Sequence, residues 1–330
     1  MNPDPYPQII GLAEPSEKNH FPLLLQLGVL LLILGGIFGA LFLTGNNAQL
    51  ADTPPVNPIP SVVSAETDSV PQKIDAIPLQ ATAAYVWDVK AQRALYAKNE
   101  NRELPLASIT KLMTALLAYE LIEQDQPATV SLNAIRQEGS YGLSVGEQFD
   151  IEHLTQLALI ESSNDAAYEL AASVGSTLGE RDGVSQFVTG MNIRADELGL
   201  ESFDFKNMTG LDISATESGA VGSAQDVSFL MEYILTRYPE LLVPTQKSNA
   251  RIYNSAGQYH DVENTNDVVE QIPNLLGSKT GFTDLAGGNL TVAFDIGLNR
   301  PIVITVLGPT REERFNDVLK LVNAVQSSVE

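Results

Sequence analysis

The sequence predicts a mixed α/β domain in which an antiparallel sheet, built from both ends of the chain, is flanked by helices. An N-terminal transmembrane helix is predicted ahead of it. Three observations predict this arrangement. Residues 22–44 form a long apolar run with no charge. Strand patterns lie near the start and the end of the chain that follows. Helical periodicity fills the stretch between them, which favours a mixed sheet over a doubly wound parallel one.

Residues 22–43 read PLLLQLGVLLLILGGIFGALFL, in which only Gln26 is strongly polar. About 20 apolar residues cross a bilayer. A cleaved signal peptide has a shorter apolar core of about 7–15 residues, so an anchor is expected. Lys18 precedes the run and no Lys or Arg follows before Lys73. Positive-inside reasoning then places residues 1–21 in the cytoplasm and the bulk of the chain outside the cytoplasmic membrane. Residues 45–80 are rich in Pro, Ser, Thr and Asp without periodicity, and read as a flexible tether. Residues 81–330 form the remaining domain.

Within that domain, residues 83–89 and 93–97 alternate as a hairpin around Lys90 and Ala91. From Ser108, apolar residues at Ile109, Leu112, Met113, Leu116 and Leu117 keep a helical spacing. Helices are predicted over 152–160 and 165–172 with a polar break between them. Two more are expected over 184–198 and 224–235. Residues 289–296 and 302–307 read as antiparallel strands, and 311–325 as a closing helix.

Of the 330 residues, 44% are hydrophobic and 18% charged, with a formal net charge of −22. Such acidity argues against nucleic acid as a partner, since phosphate binding needs clustered Lys and Arg. No cysteine occurs, which excludes disulfides, a thiol nucleophile and thiolate metal sites. The three histidines, His20, His153 and His260, sit in no recognisable motif. Neither a Ser-His-Asp triad nor a His-rich metal site is expected, and no cofactor is implied.

Three short segments carry reactive side chains. In Ser108-Ile109-Thr110-Lys111, positions i and i+3 of a helix share a face, so Lys111 lies beside the Ser108 hydroxyl. A neutral lysine amine activates a serine, and burial or a second cation keeps it neutral. Taken alone, the segment reads equally as a helix start with a surface lysine. Ser162-Ser163-Asn164 falls in the break between two helices, where Ser162 relays a proton and Asn164 bonds a substrate amide. The same residues also suit ordinary helix caps. In Lys279-Thr280-Gly281, the cationic and hydroxyl groups suit a carboxylate, Gly281 admits a substrate backbone, and Lys279 depresses the Lys111 pKa. The plain reading of that tripeptide is a turn.

Together and in this order, the three segments resemble the signature of active-site serine enzymes that bind penicillin. Longer stretches, such as LASITKLMTA, LALIESSNDAA and GSKTGFTDLAGGNLTV, are similar to the low-molecular-mass penicillin-binding proteins, the serine-type D-alanyl-D-alanine carboxypeptidases. The resemblance implies a β-lactamase/transpeptidase-like fold. It implies removal of the terminal D-alanine from peptidoglycan stem peptides, with β-lactam antibiotics as inhibitors. Ser108 would be the acylated nucleophile, Lys111 its general base, and Ser162 and Asn164 the second catalytic motif. Lys279, Thr280 and Gly281 would line the opposite wall. The backbone N–H groups of Ser108 and Phe282 would form the oxyanion hole, and Arg314, with Arg311 as competitor, would steady the substrate's carboxylate.

The sequence departs from the family at Ser163, where glycine is usual, and at Ser278, where an aliphatic residue is typical. The β-rich second domain and C-terminal anchor of many relatives are not expected, so the N-terminal helix would attach the protein to the membrane. A D,D-endopeptidase is the nearest rival. A class A β-lactamase is disfavoured because residues 197–201 read as a helix end rather than its Glu-x-x-Leu-Asn loop. A non-catalytic wall-binding protein is disfavoured by the intact Ser108, Lys111 and Lys279. Tyr85 and Trp87 are expected in the core, Asn207, Thr209 and Gly210 in a turn, and Asp226 at a helix start.

Overall fold

The computed structural model describes residues 73–74, 77–139, 142–179, 182–297 and 299–328. The expected transmembrane segment and most of the expected tether lie outside these residues. Among the described residues, no helix is long and apolar enough to cross a membrane.

In chain order the strands are β1 (Ala83–Asp88), β2 (Arg93–Lys98), β3 (Leu104–Pro105), β4 (Pro127–Thr129), β5 (Gln148–Asp150) and β6 (Asp204–Phe205), then β7 (Ala220–Gly222), β8 (Asn249–Tyr253), β9 (Tyr259–Glu263), β10 (Leu275–Thr283), β11 (Gly287–Asp295) and β12 (Pro301–Leu307). The helices are α1 (Lys111–Leu121), α2 (Ile151–Ile160), α3 (Asn164–Gly175), α4 (Gly183–Glu197), α5 (Ala224–Arg237) and α6 (Glu313–Ser327). The main sheet has the order β10-β11-β12-β1-β2, with every neighbouring pair antiparallel. The N-terminal hairpin therefore docks beside the C-terminal strands, as expected of a sheet closed by both chain ends.

Alternation along the strands divides the core in two. Tyr85, Ala293, Val303 and Leu307 face a large cluster formed with α1 to α5. Ala84, Val86, Val292, Phe294, Ile302, Ile304 and Val306 face a second cluster closed by Phe315, Val318, Leu321, Val322 and Val325 of α6. Ile74, Ile77 and Leu79, in the stretch read as a tether, pack against this second cluster. Trp87 is partly buried, stacked on Tyr85 and edge-on to Phe229, and donates from Nε1 to Glu232. Both aromatics thus belong to the core.

The helices follow the periodicity of the sequence, with two differences. The helix expected from Ser108 begins as a 3-10 turn over Ala107–Thr110, and α-helical geometry starts only at Lys111. Lys279-Thr280-Gly281 lies in strand β10, not in a turn. The segment LLGSKTGFT lacks apolar alternation because β10 is an edge strand whose Thr280, Gly281 and Phe282 line a cleft, while Ser278 and Lys279 are buried on polar partners. Hairpin β8-β9 had no clear signal either. Of its residues, Ile252 and Val262 are buried, while most of the others are exposed or half-buried.

Candidate active site

The Ser108 turn is held from both sides. Asn289, buried on β11, donates from Nδ2 to the carbonyls of Pro105 (2.9 Å) and Leu106 (3.0 Å). Ala107, with φ of +48°, occupies the left-handed region, where a non-glycine residue costs about 1–3 kcal/mol. This kink turns the chain into the 3-10 turn, so that Ser108 stands half-exposed at the floor of a cleft. Gly281 allows β10 to pass close by. A Cβ there would lie 2.7 Å from the Leu106 carbonyl oxygen and 3.2 Å from the Ile109 nitrogen.

Lys111 is fully buried. Its Nζ donates to Ser108 Oγ at 2.8 Å, Asn164 Oδ1 at 2.8 Å and the Thr209 carbonyl at 3.1 Å. Burial lowers its pKa to about 7. Of the two causes expected from the sequence, burial and a second cation, removal from water is the one that acts here.

Asn164 opens α3, capped by Ser163 Oγ accepting from the Ala166 N–H at 3.2 Å. Asn164 Nδ2 donates to the Glu138 carbonyl at 2.7 Å, which turns the amide oxygen toward Lys111. Ser163 is buried beneath the turn and serves as cap, so the residue at that position has a structural task. Ser162 is left-handed as well, with φ of +65°, and faces the cleft. Left-handed residues therefore sit beside two of the three segments that meet Lys111.

Lys279 is buried, and its Nζ donates to Ser162 Oγ at 2.8 Å and to the Thr280 carbonyl at 3.0 Å. Burial, then the charges of Lys111 and Arg314, hold its pKa well below the usual lysine value. Ser162 and the Thr280 carbonyl engage two of the three donors of a lysine ammonium here. Ser278 is buried and accepts from Asn266 Nδ2 at 3.0 Å, away from the cleft. The Thr280 hydroxyl lines the cleft and pairs with the Thr265 hydroxyl.

The cleft holds about 560 Å³. Ser108, Ser162, Thr280, Gly281, Phe282, Arg311 and Arg314 line it, with Glu161 and the acidic side chains of β9, Asp261 and Glu263. Arg314 is 4% exposed and donates from Nη1 to the Gly281 carbonyl at 2.8 Å. Burial and the neighbouring Arg311 lower its pKa to about 10, against the opposing pull of Asp267 and Glu312. Arg311 is exposed and lies over the Phe282 ring at 5.4 Å. Burial raises the Glu161 carboxyl to about 7; Asp165 adds to the shift and His260 opposes it.

All nine residues singled out from the sequence thus gather in or directly behind one cleft. Sequence reasoning missed the Thr209 carbonyl, Asn289, Glu161 and the β9 wall. A backbone carbonyl carries no side-chain signature, and Asn289 is a lone polar residue in an apolar strand.

A buried lysine with a pKa lowered to about 7, touching a half-exposed serine on a strained turn, fits the class of serine enzymes that carry a lysine beside the nucleophile. The chain belongs to peptidase family S11, D-alanyl-D-alanine carboxypeptidase, which it matches over residues 67–310. It is 30% identical to the D-alanyl-D-alanine carboxypeptidase DacF of Bacillus subtilis, over 76% of this chain and 63% of that protein. It is 29% identical to a D-alanyl-D-alanine endopeptidase of Pseudomonas aeruginosa, over 75% of this chain and 78% of that protein. A penicillin-binding protein of Listeria monocytogenes, solved in its ampicillin-bound form, superposes with a TM-score of 0.64 at 30% identity. That match covers 76% of this chain and 99% of that one. The chain thus spans less than two thirds of the length of the Bacillus relative.

Proposed function

We propose that the protein is a serine-type D-Ala-D-Ala carboxypeptidase acting on peptidoglycan stem peptides through an acyl-enzyme on Ser108. The observation that carries this reading is the bonding of Lys111. A lysine ammonium has three donors, and three acceptors surround it. The neutral amine has two N–H groups and a lone pair. With the N–H groups on Asn164 Oδ1 and the Thr209 carbonyl, the lone pair faces Ser108 Oγ. The geometry therefore serves both protonation states without rearrangement, as a general base requires.

In this reading Lys111 takes the Ser108 proton while Oγ attacks the carbonyl carbon of the penultimate D-alanine. The backbone N–H groups of Ser108 and Phe282 receive the developing oxyanion. The C–N bond breaks, the leaving D-alanine amine takes a proton returned through Lys111 or Ser162, and Ser108 is left as an ester. Water then attacks the ester with Lys111 again as base, and Ser108 regains its proton. The edge of β10 past Ser278, where Thr245 and Gln246 no longer cover it, suits an extended peptide added as a further strand. Arg314 and Thr280 suit the terminal carboxylate. A β-lactam offers the same acyl group in a ring, so its leaving group stays attached and the ester persists.

The membrane assignment rests on residues 22–44, a span of suitable length and apolarity. It makes the protein a single-pass protein of the cytoplasmic membrane with its catalytic domain outside. Incubation of the protein with a stem pentapeptide should release free D-alanine, and Ser108→Ala should abolish the release. Undiminished release from Ser108→Ala would refute the assignment. A second reading, a D,D-endopeptidase, is favoured by the larger share of the Pseudomonas relative that the chain spans. Cross-linked muropeptides split into monomers, with no D-alanine released from pentapeptides, would establish it instead.

A further inference from the structure

The acceptor that completes the Lys111 shell is a backbone carbonyl, and one side chain folds the loop that presents it. Asn207 Oδ1 accepts from the Thr209 N–H at 3.1 Å, the Thr209 hydroxyl at 3.0 Å and the Gly210 N–H at 2.7 Å. Asn207 Nδ2 donates to the Leu211 carbonyl at 2.9 Å. All the hydrogen-bonding atoms of this amide are therefore spent on residues 209–211. The Thr209 hydroxyl also accepts from the Leu211 N–H at 3.2 Å. Neighbouring elements pin the loop. Thr114 Oγ1 of α1 donates to the Met208 carbonyl at 2.7 Å, and the N–H groups of Lys206 and Asn207 reach the Gly219 carbonyl. Met208, Thr209 and Gly210 are buried. A wandering carbonyl here would leave one Lys111 donor without a partner in a site closed to water.

We infer that Asn207 is a positioning residue for the acyl-transfer step, holding the Thr209 carbonyl on Lys111 and so orienting the lysine lone pair toward Ser108. The inference rests on the reading of Lys111 as base. The sign of its effect follows from charge. A carbonyl bonds an ammonium more strongly than an amine, so it favours the protonated form. The other basic groups facing this site are Lys279 on β10 and, behind it, Arg314 on α6; burial, then the charges of Lys111 and Arg314, holds the Lys279 pKa well below its usual value. Burial lowers the Lys111 pKa, and Thr209 and Asn164 are the neutral acceptors that oppose this by bonding the protonated form.

The test is the second-order rate of acylation by a penicillin against pH, for the wild type, Asn207→Ala and Asn207→Asp. Circular dichroism checks the fold of each. Asn207→Ala should acylate roughly ten-fold more slowly on the plateau, the effect of one hydrogen bond to a charged group. Its acid limb should move down by about one pH unit as the ammonium loses an acceptor. Asn207→Asp keeps an acceptor for all three donors, so the plateau should recover in part. Its added negative charge should move the acid limb up instead. A folded Asn207→Ala with the wild-type limb, or a limb unmoved in both variants, would overturn the inference. An NMR titration of the Lys111 amine reads the same opposite shifts without acylation. If the wild type forms no acyl-enzyme, the proposed function fails, and the titration still decides the role of Asn207.

Discussion

Gly210 and Ala107 meet backbone to backbone. A Cβ on Gly210 would fall 1.9 Å from the Ala107 carbonyl oxygen, and the φ of Gly210 is +76°. The loop that bonds Lys111 is thereby pressed against the kink that presents Ser108. Gly210→Ala must either push these segments apart or force alanine into a strained conformation. Acylation should fall by at least about ten-fold with a loss of roughly 1–3 kcal/mol in stability. Penicillin kinetics and denaturant unfolding check the two effects separately. A variant equal to the wild type in both would show that the contact plays no part.

The pH profile of acylation should follow Lys111. The ammonium cannot accept the Ser108 proton, so the rate should rise through a pH of about 7 and level off above it. Glu161 titrates in the same region. Glu161→Gln should therefore leave the limb of penicillin acylation in place, since the base is unchanged. Loss of the limb in Glu161→Gln would assign the titration to the carboxyl instead.

Arg314 should act on the substrate's carboxylate. Arg314→Ala should lower kcat/KM for a peptide with a free C-terminus by roughly ten- to 150-fold, as expected of a lost hydrogen bond to a charged group worth about 1.5–3 kcal/mol. Arg311→Ala should have a smaller effect, because its guanidinium is exposed and screened. Steady-state kinetics with the two variants checks the ranking. A larger loss in Arg311→Ala would reverse the assignment.

The sheet should depend on a pair far from the cleft. Arg300 donates to Asp88 Oδ2 from Nε at 3.1 Å and from Nη2 at 2.8 Å, and both residues are buried. Asp88→Ala leaves a buried guanidinium uncompensated, which costs about 3–5 kcal/mol. Urea unfolding should show this loss while the acylation rate of the folded fraction stays unchanged.

Much of the site was legible because the chemistry needs particular side chains: Ser108, Lys111, Ser162, Asn164 and Lys279 could be named once the three segments together resembled a known signature, though each alone read equally as a helix start, a cap or a turn. Most helices followed from periodicity, since each buries one apolar face. Strand β10 was hidden because it carries serine, lysine, threonine and glycine where alternation would normally show, with Thr280 and Gly281 on the cleft and Ser278 and Lys279 on buried polar partners. Burial was one of two causes expected for the Lys111 shift, but its extent is a property of the whole fold and could not be read from the sequence. Thr209 contributes through its carbonyl, and Asn207 reads as a simple turn former until its acceptors are traced.

The most direct test of the account is the site of covalent labelling by a penicillin. Intact mass should rise by one penicilloyl group per chain, and peptide mapping should place it on Ser108. Lys111→Ala should slow the reaction by several orders of magnitude. A label on any other residue, or none on a folded protein above pH 7, would contradict it.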